Sequence, residues 1–205
     1  FLNSLFFSLK DIKLKFNSNL ISAKISYNAG NFNKTTLNLV IMIIKLSKNI
    51  INIDQFKLKC AVGKGGIKKK FKEGDKITPK GTFYLGDLYF RKDKIEKPQT
   101  KINCKVIKRN MGWSNDSNSK DYNKPFIIKK NYKFSYEKLF RGDFKYDLLV
   151  PIKYNYKKPV KNKGSAIFLH LTKNYKTTLG CVALKKKDFL ILLNLINKKT
   201  KIKIS

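Results

Sequence analysis

The segment 164–184, GSAIFLHLTKNYKTTLGCVAL, constrains the fold most, because two apolar runs flank a short polar loop. Residues 164–171 are predicted to form a strand, since apolar residues fill it and side chains alternate with a period of two. One face of this strand carries Ile167, Leu169 and Leu171, and the other carries Ala166, Phe168 and His170. A second apolar run, residues 182–184, returns after the loop. The two runs therefore bring the ends of two elements close together.

His170 is the only histidine of the chain, and Cys181 is one of three cysteines. A cysteine nucleophile needs a base within hydrogen-bond reach and usually a group that orients the base. Gly180 permits backbone conformations in which N–H groups face a developing oxyanion. These residues predict a cysteine-nucleophile site. The alternative is a satisfied core histidine beside a small buried thiol.

The same residues resemble the signature of the L,D-transpeptidase catalytic domain family, also called the YkuD-type family. That signature is a histidine, a variable gap, then Ser/Thr-His-Gly-Cys and an apolar residue. His170 and the run Thr178-Leu179-Gly180-Cys181-Val182 resemble it. The family's second histidine is replaced by Leu179, which removes a polar group beside the nucleophile and leaves the first histidine in place.

Upstream segments extend the resemblance over most of the chain, from about residue 42 to the end. The runs Glu73-Gly74-Asp75, Thr78-Pro79 and Gly81-Thr82-Phe83 resemble the family's "EGD…TPxGxF" segment. Residues 147–155 and 164–170 resemble one branch of the family. The order and spacing of these motifs are together more specific than any one of them.

The chain is predicted to form a mainly β domain, a mixed-sheet sandwich or barrel-like fold with one or two helices, and the resemblance implies the same. Apolar and β-branched runs predict strands at 37–46, 55–62, 82–88 and 200–204, with a turn at 49–54. Residues 187–197 are predicted to form a helix. Its buried face carries Phe189, Leu192, Leu193 and Ile196.

The resemblance implies an enzyme acting on peptidoglycan stem peptides through a thioester. Cys181 attacks a carbonyl, and His170 takes the thiol proton and returns it to the leaving amine. We expect a partly preformed thiolate–imidazolium pair, a backbone carbonyl of Leu171 that orients the imidazole, and an oxyanion site at the N–H groups of Gly180 and Cys181. Transfer to a second amine gives a cross-link, whereas transfer to water gives an L,D-carboxypeptidase or an amidase. No cofactor or metal is expected.

The residues expected to bind substrate are Thr178, Asn155, Tyr154, Trp113 and Tyr122. Residues 90–131 are predicted to contain long loops, because Pro, Gly, Asn, Ser and Asp interrupt them. Loops of this length are often functional. Trp113 and Tyr122 either line a cleft there or pin the loop to the core.

A cluster of charged residues between 137 and 147 has two readings. It contains Glu137, Arg141, Asp143 and Asp147. The cluster is either a set of structural ion pairs or a site that recognises an amino group.

The formal net charge of +33 first suggests a polyanionic partner such as nucleic acid or an acidic membrane. Only Arg91, Arg109 and Arg141 are arginine, the residue favoured for phosphate recognition. Lysine is instead spread along the whole chain, which is typical of a solvated surface. A nucleic-acid partner is therefore not expected. The protein is expected to be a monomer. A non-catalytic wall-binding or polyanion-binding module remains the alternative to an enzyme.

Residues 1–36 are predicted to be an N-terminal extension that is either poorly ordered or upstream of the true start, and residues 37–205 are predicted to be the catalytic domain. The apolar run at 2–9 is shorter than the ~20 residues of a membrane span and lacks the basic start of a secretory signal. A site of action in the cell envelope is inferred from the implied substrate alone. Cys60 and Cys104 lack zinc-ligand spacing, and a disulfide between them is an open alternative.

Overall fold

A computed structural model of the protein describes residues 20–21 and 41–205. Strand β1 (Leu20–Ile21) pairs antiparallel with β2 (Ile41–Ser47), so that Leu20 lies opposite Met42. The prediction of an extension over residues 1–36 otherwise falls outside the described residues.

Most of the described chain lies in short strands joined by turns and loops. In chain order the elements are β1, β2, β3 (Ile50–Ile53), β4 (Phe56–Ala61), β5 (Ile67–Lys68), β6 (Thr78–Pro79), β7 (Gly81–Tyr84), β8 (Leu88–Phe90), β9 (Cys104–Val106), β10 (Met111–Ser114), β11 (Pro125–Ile127), β12 (Tyr136–Lys138), β13 (Leu148–Pro151), β14 (Phe168–Leu171), β15 (Val182–Leu184), α1 (Lys186–Leu195) and β16 (Lys201–Ile204).

The main sheet has the strand order β7-β16-β2-β3-β4-β15-β14-β13-β8-β9, with β1 beside β2. It is mixed, because β16 and β2, β14 and β15, and β8 and β9 pair in parallel while the other neighbours are antiparallel. The sheet curls into a half-barrel, which confirms the predicted mainly β, mixed-sheet fold. None of the helical segments in the described residues is long and apolar enough to cross a membrane.

The predicted turn at residues 49–54 is wrong, because Ile50–Ile53 forms strand β3. Ile51 and Ile53 point into the core and are buried. The chain reverses instead at two tighter turns, where Lys48 and Asp54 take positive φ angles of 52° and 51°. Three consecutive antiparallel strands therefore replace the predicted two.

The irregular segment 90–131 contains more sheet than its composition predicts. Strands β10 and β11 lie within it and form a small sheet with β12, in the order β11-β10-β12. Tertiary packing overrides the weak local preference here. This sheet carries one wall of the pocket described below.

Strand β14 separates two hydrophobic cores, as its alternating pattern predicts. Leu169 and Leu171 pack in the main core, and Phe168 packs in the second. Regular pairing begins at Phe168 instead of residue 164, because Gly164 and Ala166 take positive φ angles of 100° and 50°. The predicted alternation is confirmed for the strand itself.

Helix α1 packs beside β14 against the main core and ends at Leu195, before the turn that leads into β16. Phe189, Leu192 and Leu193 are fully buried, which confirms the predicted helix and its buried face. Ile196 is also buried, at the helix C-terminus.

Candidate active site

A cavity of about 720 Å³ opens where β14 and β15 meet the loops that follow and precede them. Both Cys181 and His170 line it. The other lining residues combine charged, polar and apolar side chains and include Lys70, Glu73, Asn115, Glu137, Arg141, Lys145, Tyr146, Ser165, Thr178 and Leu179. The structure thus brings together the two residues on which the predicted chemistry depends.

Cys181 directly precedes β15 and is partly exposed. Its Sγ accepts a hydrogen bond from the Phe168 N–H at 3.3 Å and donates to the Ala166 carbonyl at 3.3 Å. The left-handed backbone of Ala166 turns this carbonyl toward the thiol. An alanine in this conformation costs about 1–2 kcal/mol, so the surrounding fold holds it in place.

His170 lies on β14 and is buried. Its Nδ1 lies 2.9 Å from the Leu171 carbonyl oxygen, which can only accept, so Nδ1 carries the proton and Nε2 keeps its lone pair. In the parallel register His170 pairs with Ala183. Cys181 lies two residues before Ala183, so the thiol and the imidazole are on the same face of adjacent strands.

The surroundings of Cys181 and His170 shift both pKa values in the directions that favour the neutral forms. Burial raises the pKa of the Cys181 thiol to about 12, and the carboxylate of Glu137 raises it further, against the Phe168 N–H and Lys70. Burial lowers the pKa of His170 to about 4, although the Leu171 carbonyl favours the protonated ring. Both shifts favour the neutral thiol and the neutral imidazole, and so oppose the expected preformed thiolate–imidazolium pair, because desolvation outweighs the neighbouring charges.

Two threonine hydroxyls fix the loop that carries the thiol. Thr178 Oγ1 donates to the Cys181 carbonyl at 2.6 Å and accepts from the Gly180 N–H at 3.1 Å. Thr78 Oγ1 donates to the Gly180 carbonyl at 2.9 Å and accepts from the Gly63 N–H at 2.8 Å. The Gly180 N–H, the expected oxyanion donor, is thus hydrogen-bonded to Thr178.

Leu179 stands at the rim of the cavity with 76% of its surface exposed. The residue that replaces the second histidine of the signature therefore offers an apolar surface at the mouth. It makes no hydrogen bond through its side chain, so the polar environment of the thiol comes from backbone groups and Glu137.

Of the residues expected to bind substrate, Thr178 lines the cavity. Trp113 is 2% exposed and donates through Nε1 to Asn123 Oδ1 at 3.0 Å. Tyr122 is buried, and its hydroxyl donates to Glu73 at 2.8 Å. Both rings fit the alternative reading, in which they pin their loop to the core.

Tyr154 and Asn155 lie outside the set of cavity-lining residues. The Tyr154 hydroxyl donates to the Lys163 carbonyl. The Asn155 amide donates to the carbonyls of Val160 and Gly164, at 3.0 and 2.9 Å. These bonds shape the loop that leads into the positive-φ segment before β14.

The charged cluster at 137–147 divides into ion pairs and one separate carboxylate. Arg141 pairs with Asp143 through two hydrogen bonds of 2.9 and 2.8 Å, and Lys94 lies 3.3 Å from Asp147. Glu137 instead accepts a hydrogen bond from the Tyr146 hydroxyl at 2.5 Å.

Sequence reasoning missed Tyr146 and Glu73 as cavity residues. Tyr146 also packs its ring edge-on against His170, with centroids 5.6 Å apart. The only sequence signal for Tyr146 is that it lies within the charged cluster at residues 137–147. No periodic pattern distinguishes it from the other tyrosines of the chain.

Cys60, Cys104 and Cys181 are all free thiols. Burial raises the pKa of the Cys60 thiol to about 12, as expected of an inert core cysteine. Among the described residues, no group of three or more Cys, His, Asp or Glu side chains is placed to hold a metal ion.

The family model of the YkuD L,D-transpeptidase catalytic domain matches residues 41–204, which is most of the chain and includes every residue of the cavity. Comparison with curated proteins and with solved structures gives no match. The matched range includes every strand from β2 to β16. The chain therefore belongs to the L,D-transpeptidase catalytic domain family.

Proposed function

We propose that this domain is a cysteine-dependent acyltransferase acting on peptidoglycan stem peptides, with Cys181 as nucleophile and His170 as base. The observation that supports this most is the shared cavity. There the thiol and the imidazole lie on one face of adjacent strands, each held by backbone groups. The site of action would be the cell envelope, where peptidoglycan lies.

The first half-reaction forms a thioester. Sγ of Cys181 attacks the carbonyl carbon of the L,D bond while its proton passes to Nε2 of His170. The C–N bond then breaks, and His170 returns the proton to the leaving amine. Because the raised pKa of Cys181 and the lowered pKa of His170 both favour neutral groups, this proposal has proton transfer accompany the attack.

The oxyanion of the tetrahedral intermediate is assigned to the N–H groups of Gly180 and Cys181. The Gly180 N–H exchanges its contact with Thr178 Oγ1 for the oxyanion when substrate binds. One such donor contributes about 3 kcal/mol in enzymes of this chemistry. The Leu171 carbonyl keeps the imidazole in the reactive tautomer throughout.

The second half-reaction resolves the thioester. An amine of a second stem peptide attacks the thioester carbon, the C–S bond breaks, and His170 moves the amine proton to the departing thiolate. Water in place of the amine makes the enzyme an L,D-carboxypeptidase or amidase. A binding module without chemistry is the second candidate, favoured by the raised pKa of Cys181 and by Leu179 in place of a histidine.

Incubation of the protein with a disaccharide-tetrapeptide, followed by mass spectrometry of the products, tests these assignments. A cross-linked dimer that is absent with Cys181→Ala supports transpeptidation, and a tripeptide without dimer supports carboxypeptidation. Unchanged substrate, bound equally by the wild type and by Cys181→Ala, would leave only the binding module.

A further inference from the structure

Two backbone groups hold the sulfur of Cys181, and only one of them belongs to a strand. Phe168, whose N–H donates to Sγ, is the first residue of β14 and is held opposite Pro151 by sheet pairing. Ala166, whose carbonyl accepts from the thiol, precedes the strand and has a φ of 50°, a conformation that alanine rarely adopts. The position of this carbonyl therefore depends on groups outside the strand.

Asn123 supplies the hydrogen bond that holds Ala166. Its Oδ1 accepts from the Ala166 N–H at 3.0 Å, and both residues are buried. This bond fixes the peptide unit before the Ala166 Cα, while β14 fixes the chain after it. The φ angle of Ala166 relates these two parts of the backbone, so it cannot change while both are held.

The Asn123 side chain is itself fixed by every polar group of its amide. Oδ1 also accepts from Trp113 Nε1 at 3.0 Å, and Nδ2 donates to the carbonyls of Tyr154 and Asn155 at 2.9 and 2.7 Å. Two donors thus face the oxygen and two acceptors face the nitrogen, which fills the hydrogen-bonding capacity of an amide. A buried polar group with all its partners has a single orientation. Asn123 is therefore a rigid support for Ala166.

We propose that Asn123 is a positioning residue for the nucleophile, which holds Ala166 in its left-handed conformation so that the Ala166 carbonyl fixes the sulfur of Cys181 for attack. This rests on the proposed function, because it takes Cys181 as the reacting thiol. Asn123 lies outside the set of cavity-lining residues, so it acts through Ala166 and not on the substrate. Its effect is on the rate of acylation and not on the affinity for the substrate.

The contact with Ala166 is compatible with proton transfer to His170. Rotation about the Cβ–Sγ bond of Cys181 turns the thiol proton from the Ala166 carbonyl toward Nε2 of His170 and leaves Sγ in place. Only a weak hydrogen bond is lost in this rotation, because a thiol is a weak donor. The Phe168 N–H continues to hold Sγ and stabilises the negative charge that develops on it.

The substitution Asn123→Gly tests the proposal, because Asn123 has a φ of 57° and glycine removes the side chain without straining this backbone. The probe reaction is acylation of Cys181 by a carbapenem, followed by intact mass over a range of drug concentrations. We expect the rate constant at saturating drug to fall at least tenfold, and the half-saturating concentration to change less than twofold. Adding Ala166→Gly should then raise the rate constant at least threefold, because glycine adopts a positive φ without support.

The S–H stretching band of Cys181 gives a second readout, which a loss of stability alone does not move. It is obtained as the difference between the Raman spectra of each protein and of its Cys181→Ala form. A hydrogen-bonded S–H vibrates at lower frequency, so we expect the band to shift upward in Asn123→Gly and to return in the double variant. The control is Thr100→Val, which removes hydrogen bonds to Ile102 and Leu193 and should change neither readout.

A band typical of a free S–H in the wild type overturns the proposal, and this measurement does not depend on the folding of Asn123→Gly. Acylation of Asn123→Gly at the wild-type rate also overturns it, as does a double variant that is as slow as the single one. If the wild type is not acylated at all, the proposed function fails. A band that still shifts in Asn123→Gly then supports the positioning of the thiol by Asn123, and a band that does not shift overturns it.

Discussion

At the scale of residues, the candidate site pairs a buried histidine with a partly exposed cysteine, and the pKa shifts of both favour their neutral forms. Sequence motifs indicate which side chains meet, and they name Cys181, His170 and the Leu171 carbonyl without further help. They do not predict protonation, because desolvation depends on the packed surroundings. Tertiary packing also brings Glu137 and Tyr146 into the cavity. The sequence alone therefore left two roles open for the charged cluster at residues 137–147, structural ion pairs or recognition of an amino group.

The buried imidazole makes the stability of the protein dependent on pH. The pKa of His170 is lowered from 6.5 to about 4, so the unfolded chain takes up the proton first as the pH falls. Above pH 6.5 the histidine is neutral in both states and does not affect the free energy of unfolding. As the pH falls from 6.5 toward 4, this free energy decreases by about 3 kcal/mol.

Urea unfolding of the wild type and of His170→Gln at pH 7 and pH 4 measures this contribution. The drop in the free energy of unfolding should be about 3 kcal/mol larger for the wild type, since glutamine does not titrate. Carboxylates that titrate in the same range cancel in the difference. Equal drops in the two proteins would show that His170 is not desolvated.

At the scale of elements, the loop before β15 depends on a close approach of backbones. The Gly63 N–H, the Thr78 hydroxyl and the Gly180 carbonyl form one continuous chain of hydrogen bonds. A Cβ on Gly63 would lie 2.3 Å from the Lys76 carbonyl oxygen and 3.0 Å from the Gly180 Cα. Neither neighbour is a flexible side chain, so the backbone itself must move.

Gly63→Ala should therefore destabilise the protein by about 2–3 kcal/mol and slow acylation of Cys181, because the strain reaches Gly180 directly. Gly142→Ala is the matched control, since a Cβ there meets nothing within 4 Å. Thermal unfolding and the acylation rate are measured on both variants. A Gly63→Ala protein as stable and as active as Gly142→Ala would contradict the role given to this contact.

Local sequence patterns predict the elements whose buried side chains recur at a regular spacing. They miss the elements that form only because they pair with neighbouring strands. The alternation of β14 and the apolar face of α1 follow from period alone. Strands β10, β11 and β3 do not, because they are only three or four residues long and pairing with neighbours makes them strands. The start of β14 was placed too early because the positive φ of Ala166 has no sequence signal.

At the scale of the whole molecule, we expect the charge of +33 to favour capture of the proposed substrate. The cavity wall combines Lys70, Arg141, Lys145, Lys173 and Lys176 with only two carboxylates. Stem peptides carry carboxylates, so their approach is favoured by this field. Salt screens this field, whereas the reaction of the Cys181 thiol with a neutral reagent involves no long-range attraction for salt to screen.

Raising sodium chloride from 50 to 300 mM should therefore increase the KM for stem-peptide fragments several-fold. The rate at which neutral iodoacetamide alkylates Cys181 should change less than twofold, which serves as the internal control. A KM that does not change with salt would show that the lysines do not attract the substrate and serve only the solubility of the protein.

The most direct test of the central claim is the intact mass of the protein after incubation with a carbapenem, whose strained lactam carbonyl traps an activated nucleophile. The account predicts one adduct with the mass of the drug, absent in Cys181→Ala and formed at least a hundredfold more slowly in His170→Ala. Cys60 and Cys104 are retained in every variant and serve as internal controls for nonspecific reaction. No adduct on the wild type, or the same adduct on Cys181→Ala, would contradict the claim that Cys181 and His170 form a reactive pair.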